Sequence, residues 1–294
     1  MYTFQMPFLR RYFSYLVLAA LVLISVGIWS AVWAESAPGK LIVAVLDVGQ
    51  GDSIFIESPT GTQIIIDGGP DDSILRDLPE VMPLSDRSLD AVLATHLDAD
   101  HITGFVDLLK RYSVGNFIES GLVKSTLTAR TLEKEVDSER IPRIIARRGM
   151  ILDLGGGAEL DVLAPDFDVS KLPEDQGNEG CIVAHLVYGN TSMLFMCDAP
   201  MDVEDHLMAI GSTTDLKSDI LKVGHHGSRF STGDAFVGEV DPSVAIISVG
   251  AHNTYGHPTQ QTLDTLANHN VETLRTDQEG TIEFISDGEA FVRK

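Results

Sequence analysis

Ala94-Thr95-His96-Leu97-Asp98-Ala99-Asp100-His101-Ile102-Thr103-Gly104 is the stretch whose reading decides the fold. His96, Asp98, Asp100 and His101 place four potential metal ligands within six residues. The apolar run over 89–94 predicts a strand into the cluster, and 102–112 predicts an amphipathic helix out of it, with Phe105, Leu108, Leu109 and Tyr112 on one side. A ligand cluster at a strand–helix junction stands on rigid supports. Any one of these side chains has a plainer role as a cap, a turn former or a solvated group. The four together, in this setting, point to metal. The spacing lets His96 and Asp98 point one way and Asp100 and His101 another, which suits two adjacent ions better than one. Closely spaced divalent ions can clamp the attacking and leaving oxygens of a displacement.

Working outward, strands are expected at 41–46, 53–57 and 63–66, the last ending in Asp67-Gly68-Gly69-Pro70. Residues 71–88 form a polar connection with little pattern. A weak strand over 116–119 and a helix over 126–139 follow, then strands near 143–147 and 159–163 and an acidic loop over 165–180. Strands over 181–188 and 191–198 meet at Gly189-Asn190, a two-residue hairpin turn. Beyond them come a helix near 202–210, a strand over 219–223 ending in Gly224-His225-His226-Gly227-Ser228, and a strand over 243–249. A helix over 259–268 and closing strands at 271–275, 281–285 and 290–292 complete the chain. Strands and helices alternate in two runs with no composition break, so one layered α/β domain over 40–294 is expected.

The formal net charge of -22 repels polyanions and argues against tight, non-specific nucleic-acid binding. Residues 1–34 read as a targeting segment: Arg10 and Arg11 precede an uncharged run over 12–34, and Val32-Trp33-Ala34 offers small residues at a cleavage point before Glu35. The segment is a cleaved signal peptide or an uncleaved anchor, since the run reaches the ~20 residues needed to span a bilayer. Residues 35–39 are a linker. Positive charge ahead of the run puts the remainder outside the cytoplasm, secreted or tethered.

Export permits disulfides, and the chain has Cys181 and Cys197. With residue 188 facing 191, residue 181 faces 198 and 182 faces 197, so alternation sends the two thiols to opposite faces of the sheet. The expectation is no disulfide.

The cluster resembles the metallo-β-lactamase signature His-x-His-x-Asp-His, with Asp98 where that pattern has its middle His. This variant is similar to the extracellular metallo-hydrolase domain of ComEC-type DNA-uptake proteins. The matching stretches are 46–53, Ile66-Asp67-Gly68-Gly69, 95–101, 219–228 and 248–258, in order along nearly all of 40–293. The resemblance implies a four-layer αββα sandwich with a dinuclear site on one edge. It implies that Asp198, at the end of the strand before 202–210, bridges the ions. Of His225 and His226, one is implied to bind metal and one to face substrate; His226 is taken as the ligand and His225 as directed toward the phosphate. His257 is implied to line the site. His185 is a candidate for a third ligand on an earlier strand, Cys181 lies near the metals or is a buried structural thiol, and Asp67 is placed to orient a ligand. Ser228 is a hydrogen bonder at the site or a simple turn residue. His206 and His269 read as surface residues.

The ligand set read from sequence is therefore His96, Asp98, Asp100, His101, Asp198 and His226, holding two divalent ions, zinc or manganese. Asp98 in place of an imidazole makes the site harder and manganese more competitive. The expected activity is a phosphodiesterase or nuclease acting on DNA, in which the metals turn water into a hydroxide at neutral pH and Asp100 belongs to the catalytic set. His225 or His257 would protonate the leaving oxygen. The acidic surface keeps a second reading open, a hydrolase of small phosphodiesters such as phosphocholine esters or of lactams and lactones, and a third, a non-catalytic metal-binding module. For DNA, Arg143, Arg147, Arg148, Lys222 and Arg229 are the candidate donors of a basic groove.

Overall fold

β1 (Leu41–Val45) is apolar at every position, and its side chains divide between two cores. Val43 and Val45 join one buried cluster and Ala44 another, because successive side chains of a strand point to opposite faces. A sheet apolar on both faces must be covered on both. In this computed structural model the described residues are 12–13, 15–26, 39–83, 85–210 and 216–294.

The first eight-stranded sheet takes β1, β2 (Ile54–Glu57), β3 (Gln63–Ile66), β4 (Ser88–Ala94), β5 (Ser113–Glu119) and β6 (Arg143–Ile145) from the N-terminal half. Helices α1 (Ile74–Val81), α2 (Ala99–Leu108) and α3 (Leu127–Ser138) join them. The seven-stranded sheet comprises β7 (Ile151–Gly155), β8 (Ala158–Ala164), β9 (Val183–Tyr188), β10 (Thr191–Phe195), β11 (Ile220–Lys222), β12 (Val244–Ile247) and β13 (Glu272–Arg275). It carries α4 (Met201–Ala209), α5 (Asp234–Val240), α6 (Gln260–Asn268) and the short α7 (Thr276–Glu279). β14 (Ile282–Ser286) and β15 (Phe291–Arg293) return to the first sheet, β14 pairing antiparallel with β1.

Between the sheets, Val43, Ile56, Ile64 and Leu93 pack with Leu160, Ala184, Met193 and Phe195. Outside the first sheet, Ala44, Phe55 and Val92 pack under Leu78, Phe105 and Leu132. Outside the second, Leu194 and Leu221 lie under Leu207 and Phe236, and Ile247 lies under Leu266. The result is the expected αββα sandwich. Four elements were not anticipated: α1 within the connection read as patternless, β7, α5 and the short α7. The acidic loop carries three short 3-10 turns over 169–180.

The chain divides into two units, Met1–Gly39 and Lys40–Lys294. In the first, residues 15–26 are helical, with Leu16, Leu18, Leu23 and Ile24 exposed. Among the described residues no helix is long and apolar enough to cross a membrane. The remaining parts of the segment read as a targeting signal and linker, 1–11, 14 and 27–38, lie outside the described residues.

Candidate metal centre

The cluster loop is bent by a second loop rather than by its own capping. Asp98 is the N-cap of α2 with extended backbone, yet its side chain makes no cap hydrogen bond. The backbone of the loop after β3 holds the turn instead: Gly68 N–H donates to His101 O at 2.6 Å and Gly104 N–H to Gly69 O at 3.1 Å. The approach is so close that a methyl group at position 104 would lie 1.9 Å from Gly68 O. Only glycine fits there. From the other side, a methyl group at position 51 would lie 2.1 Å from Asp100 O, so the loop after β1 presses equally tightly on the cluster.

The second sheet brings its own strand ends to this place. Asp198 follows β10, and His225 and His226 form the turn after β11. Asp67, Cys197, His225 and His226 all have positive φ, at 59°, 43°, 48° and 53°. Left-handed backbone is uncommon outside glycine and concentrates where geometry serves a site. Ligand atoms of Asp100, His101, Asp198 and His226 all lie within 4.8 Å of one another, a set able to hold a metal ion. His226 Nε2 is 3.5 Å from Asp100 Oδ2 and 3.5 Å from Asp198 Oδ1, and His101 Nε2 is 3.4 Å from Asp198 Oδ1. His96 and Asp98 stand beside this group: Nε2 and Oδ2 are 3.9 Å apart, and the His96 and His101 rings are 4.1 Å apart. Lys124 Nζ contacts Asp98 Oδ1.

Each buried imidazole of the cluster has its Nδ1 occupied, which assigns the tautomer. His101 Nδ1 donates to Asp67 Oδ2 at 2.8 Å, and His226 Nδ1 donates to the Ser248 carbonyl at 3.0 Å. Thr95 Oγ1 donates to Asp67 Oδ2, so it accepts from His96 Nδ1 at 3.0 Å. All three Nε2 lone pairs therefore point inward. His96 Nε2, His101 Nε2, His226 Nε2 and Asp198 Oδ1 are buried without a hydrogen-bond partner. Buried polar atoms are normally paired, and three imidazole lone pairs with a carboxylate oxygen suit a divalent cation. This donor set fits the metal that the fold implies.

Against their burial, the carboxylates draw a second proton onto His101 and His226, which a bound cation would displace from Nε2. Burial works against a proton on His101, but Asp198 and Asp67 outweigh it and hold that proton well above the usual imidazole range. Burial likewise opposes the charge on Asp198, yet His226 and His101 keep it well below the carboxylate range. Asp100 falls to about 2, because the neighbouring imidazoles of His226, 3.5 Å away, and His101 overcome its burial. Burial pushes His96 down, and His101 adds to it. A second buried trio, Asp52, Asp67 and His101, lies behind the first. It serves as support: Asp67 is taken up by Thr95 and His101, and Asp52 by Lys222 at 2.8 Å.

His225 is partly exposed, with Nε2 3.6 Å from Asp198 Oδ2. His257 is half-buried; its ring lies 5.7 Å from that of His225, and Tyr255 stacks on it at 5.9 Å. Burial, then His225 and His226, lower the pKa of His257. Ser228 accepts from Phe230 N–H at 3.3 Å, a turn contact. His206 and His269 pair with Asp166 and Asp234 near the surface.

Three sequence-based expectations are corrected. Lys222 donates to no groove: it is fully buried against Asp52 and the Val223 carbonyl. His185 sits mid-strand opposite Leu194, with Nε2 3.1 Å from Ser218 Oγ, away from the ligand cluster. Cys181 and Cys197 form a disulfide, with their Cα atoms 6.7 Å apart. The hairpin register is as expected, Thr191 opposite Tyr188, but the ladder ends at Phe195 and Ala184. Beyond it the left-handed backbone of Cys197 breaks the alternation on which the opposite-face prediction rested.

The sequence model of the metallo-beta-lactamase superfamily matches residues 46–252, which takes in the whole cluster, Asp198 and both strand-end histidines. The chain belongs to the metallo-β-lactamase superfamily. Among curated relatives, it is 32% identical over 260 residues to ComE operon protein 3 of Bacillus subtilis (strain 168), covering 82% of this chain and 32% of the relative. It is 26% identical over 251 residues to competence protein ComA of Neisseria gonorrhoeae, covering 85% of this chain and 33% of the relative. The chain thus spans about a third of the length of these relatives, and both matches agree with a ComEC-type hydrolase domain. Among solved structures, Igni18, described as a novel metallo hydrolase from the archaeon Ignicoccus hospitalis KIN4/I, superposes with a TM-score of 0.52 at 13% identity. That match covers 83% of this chain and 98% of Igni18, and it carries the fold alone.

Proposed function

We propose that this superfamily hydrolase is an exported phosphodiesterase acting on DNA, with two divalent ions, zinc or manganese, held by His96, Asp98, Asp100, His101, Asp198 and His226. The observation that carries the reading is that unpartnered, buried His101 Nε2, His226 Nε2 and Asp198 Oδ1 belong to a group whose ligand atoms lie within 4.8 Å of one another, with unpartnered His96 Nε2 beside it. When bound, the ions supply Lewis acidity and a nucleophile from water at neutral pH. The chain's own part is to hold the donors: Asp67, Thr95 and the Ser248 carbonyl fix the tautomers, and Asp198 would contribute its carboxylate to both ions. His225 and His257 stand on the open side with their rings 5.7 Å apart, and either, once protonated, could give its proton to the leaving oxygen. The competence relatives support DNA as substrate. The disulfide supports an oxidising, extracytoplasmic location, and residues 12–34 are proposed as its signal or tether.

A small phosphodiester is the second reading, favoured by the charge of -22 and by how few of the candidate arginines are at liberty to line a groove. Arg143 is bound by Glu119 and Asp137, and Arg147 donates to the carbonyls of Ser120 and Ala146. Profiling the manganese- and zinc-loaded protein against single- and double-stranded DNA, a bis-aryl phosphodiester, a phosphocholine ester and a β-lactam separates the readings. DNA cleavage lost in Asp100→Ala is expected. Intact DNA alongside a cleaved small ester would replace the first reading with the second, and no turnover with bound metal would leave a binding module.

A further inference from the structure

Beside His257 lies a cavity of about 540 Å³ lined by Ser228, Arg229, Phe230, Tyr255, His257 and Thr259. Its size is that of a small-ligand site. Two of its walls are large rings left in solvent, Phe230 at 62% and Tyr255 at 69% exposure. Tyr255 lies nearly parallel to the His257 ring, at 24°, and the Arg229 guanidinium sits 5.0 Å over Phe230. The cavity's wall residue His257 has its ring 5.7 Å from that of His225, whose Nε2 is 3.6 Å from Asp198 Oδ2.

We propose that this cavity is a base-stacking subsite, in which Phe230 and Tyr255 receive a nucleobase next to the scissile phosphate and Arg229 meets a neighbouring phosphate. The inference rests on the DNA reading above and names how that substrate is held. Flat aromatic faces accept any base, because every base offers a π-face. The same two rings would suit a quaternary ammonium, but the guanidinium over Phe230 repels a cation and attracts an anion. Arg229 therefore selects a nucleotide over a choline group. In a chain of net charge -22, a short contact of this kind binds one or two nucleotides without requiring a long basic groove.

The test compares hexathymidylate with a hexamer of abasic deoxyribose phosphates, both carrying phosphorothioate linkages to suppress cleavage. Binding to the manganese-loaded protein is read by fluorescence anisotropy. The base-bearing oligomer is expected to bind about 5- to 100-fold more tightly, and Phe230→Ala and Tyr255→Ala to erase most of that difference. Phe230→Tyr keeps a ring and should keep the preference, as should Phe167→Ala in the separate cavity beside Arg148. Equal affinity of the two oligomers for the unaltered protein, or undiminished preference in both alanine variants, overturns the subsite. Tighter competition by phosphocholine than by thymidine monophosphate also overturns it. Cleavage of unmodified DNA is measured in parallel: cleavage without base preference removes the subsite alone, and base preference without cleavage removes the phosphodiesterase reading alone.

Discussion

Lys222 Nζ lies 2.8 Å from Asp52 Oδ2, and both side chains are buried, the lysine completely. Burial opposes the charge on Asp52, but Lys222 and then His226 outweigh it and keep the carboxyl ionised. Asp52 Oδ1 in turn lies 3.5 Å from His226 Nδ1. Replacing Lys222 with Met leaves an uncompensated carboxylate behind a metal-facing histidine, so a loss of about 3–5 kcal/mol is expected in urea unfolding. Asp52→Asn combined with Lys222→Met should recover more than half of that loss. If the double variant is as unstable as the single one, the pair is not the reason.

Asp67→Asn tests the tautomer assignment. The amide can still accept from Thr95 N–H with its oxygen, but its NH₂ then faces His101 Nδ1. That ring must turn its other nitrogen into the donor, and a protonated Nε2 cannot bind a cation. Metal affinity is expected to fall about 10- to 100-fold, measured by competition with a chelating dye. Unchanged affinity would show that Asp67 does not orient the ring.

Lys124 places a positive charge on Asp98. Its side chain is only 20% exposed, so solvent screens it incompletely. If two ions bind as proposed, Lys124→Met should tighten the weaker one by several-fold to about tenfold. Isothermal titration with manganese reads it; a weaker second ion would mean that Lys124 helps to shape Asp98 instead.

Glu204 joins α4 to the loop before α5 by accepting from Thr232 and Gly233 N–H. Burial raises its pKa from 4.5 to about 7, more than those two donors lower it. The native state therefore holds a proton that the unfolded state has lost. The resulting stability is full below pH 4.5 and gone once the pH passes about 7. Melting temperature should decline across that window, and Glu204→Gln should flatten the decline. Parallel curves for the two proteins would refute the assignment.

The disulfide closes a loop with a sequence separation of 16. Removing both thiols as Cys181→Ala with Cys197→Ala should cost about 3 kcal/mol of stability by chain entropy. Oxidised and reduced samples of the unaltered protein should differ by a comparable amount in urea, and coincident curves would exclude a stabilising role.

The ligand cluster was legible because its residues are close in sequence and chemically distinctive. Asp198 and His226 could be placed because each ends a strand whose apolar run is plain. What escaped notice depends on backbone angles and distant partners. No local pattern marks Cys197 as left-handed, so the alternation rule misplaced its thiol. Lys222 looks like any strand-end cation until Asp52, 170 residues earlier, is folded against it. α5 is seven residues long, between Gly233 and Asp241-Pro242, too short for its periodicity to stand out.

The contact between Gly104 and the Gly68 carbonyl has a consequence for anyone wishing to borrow this centre. His96 to His101 look like a portable cassette that another strand–helix junction could host. Their curvature, however, is imposed by a neighbouring loop that leaves no room for a methyl group, and their ring orientation by an aspartate on that same loop. Transplanted without residues 66–69, the six-residue segment would keep its ligands and lose their aim. A transferable unit must include the adjacent parallel strands β3 and β4 with both of their loops, and the loop after β1 that closes on Asp100.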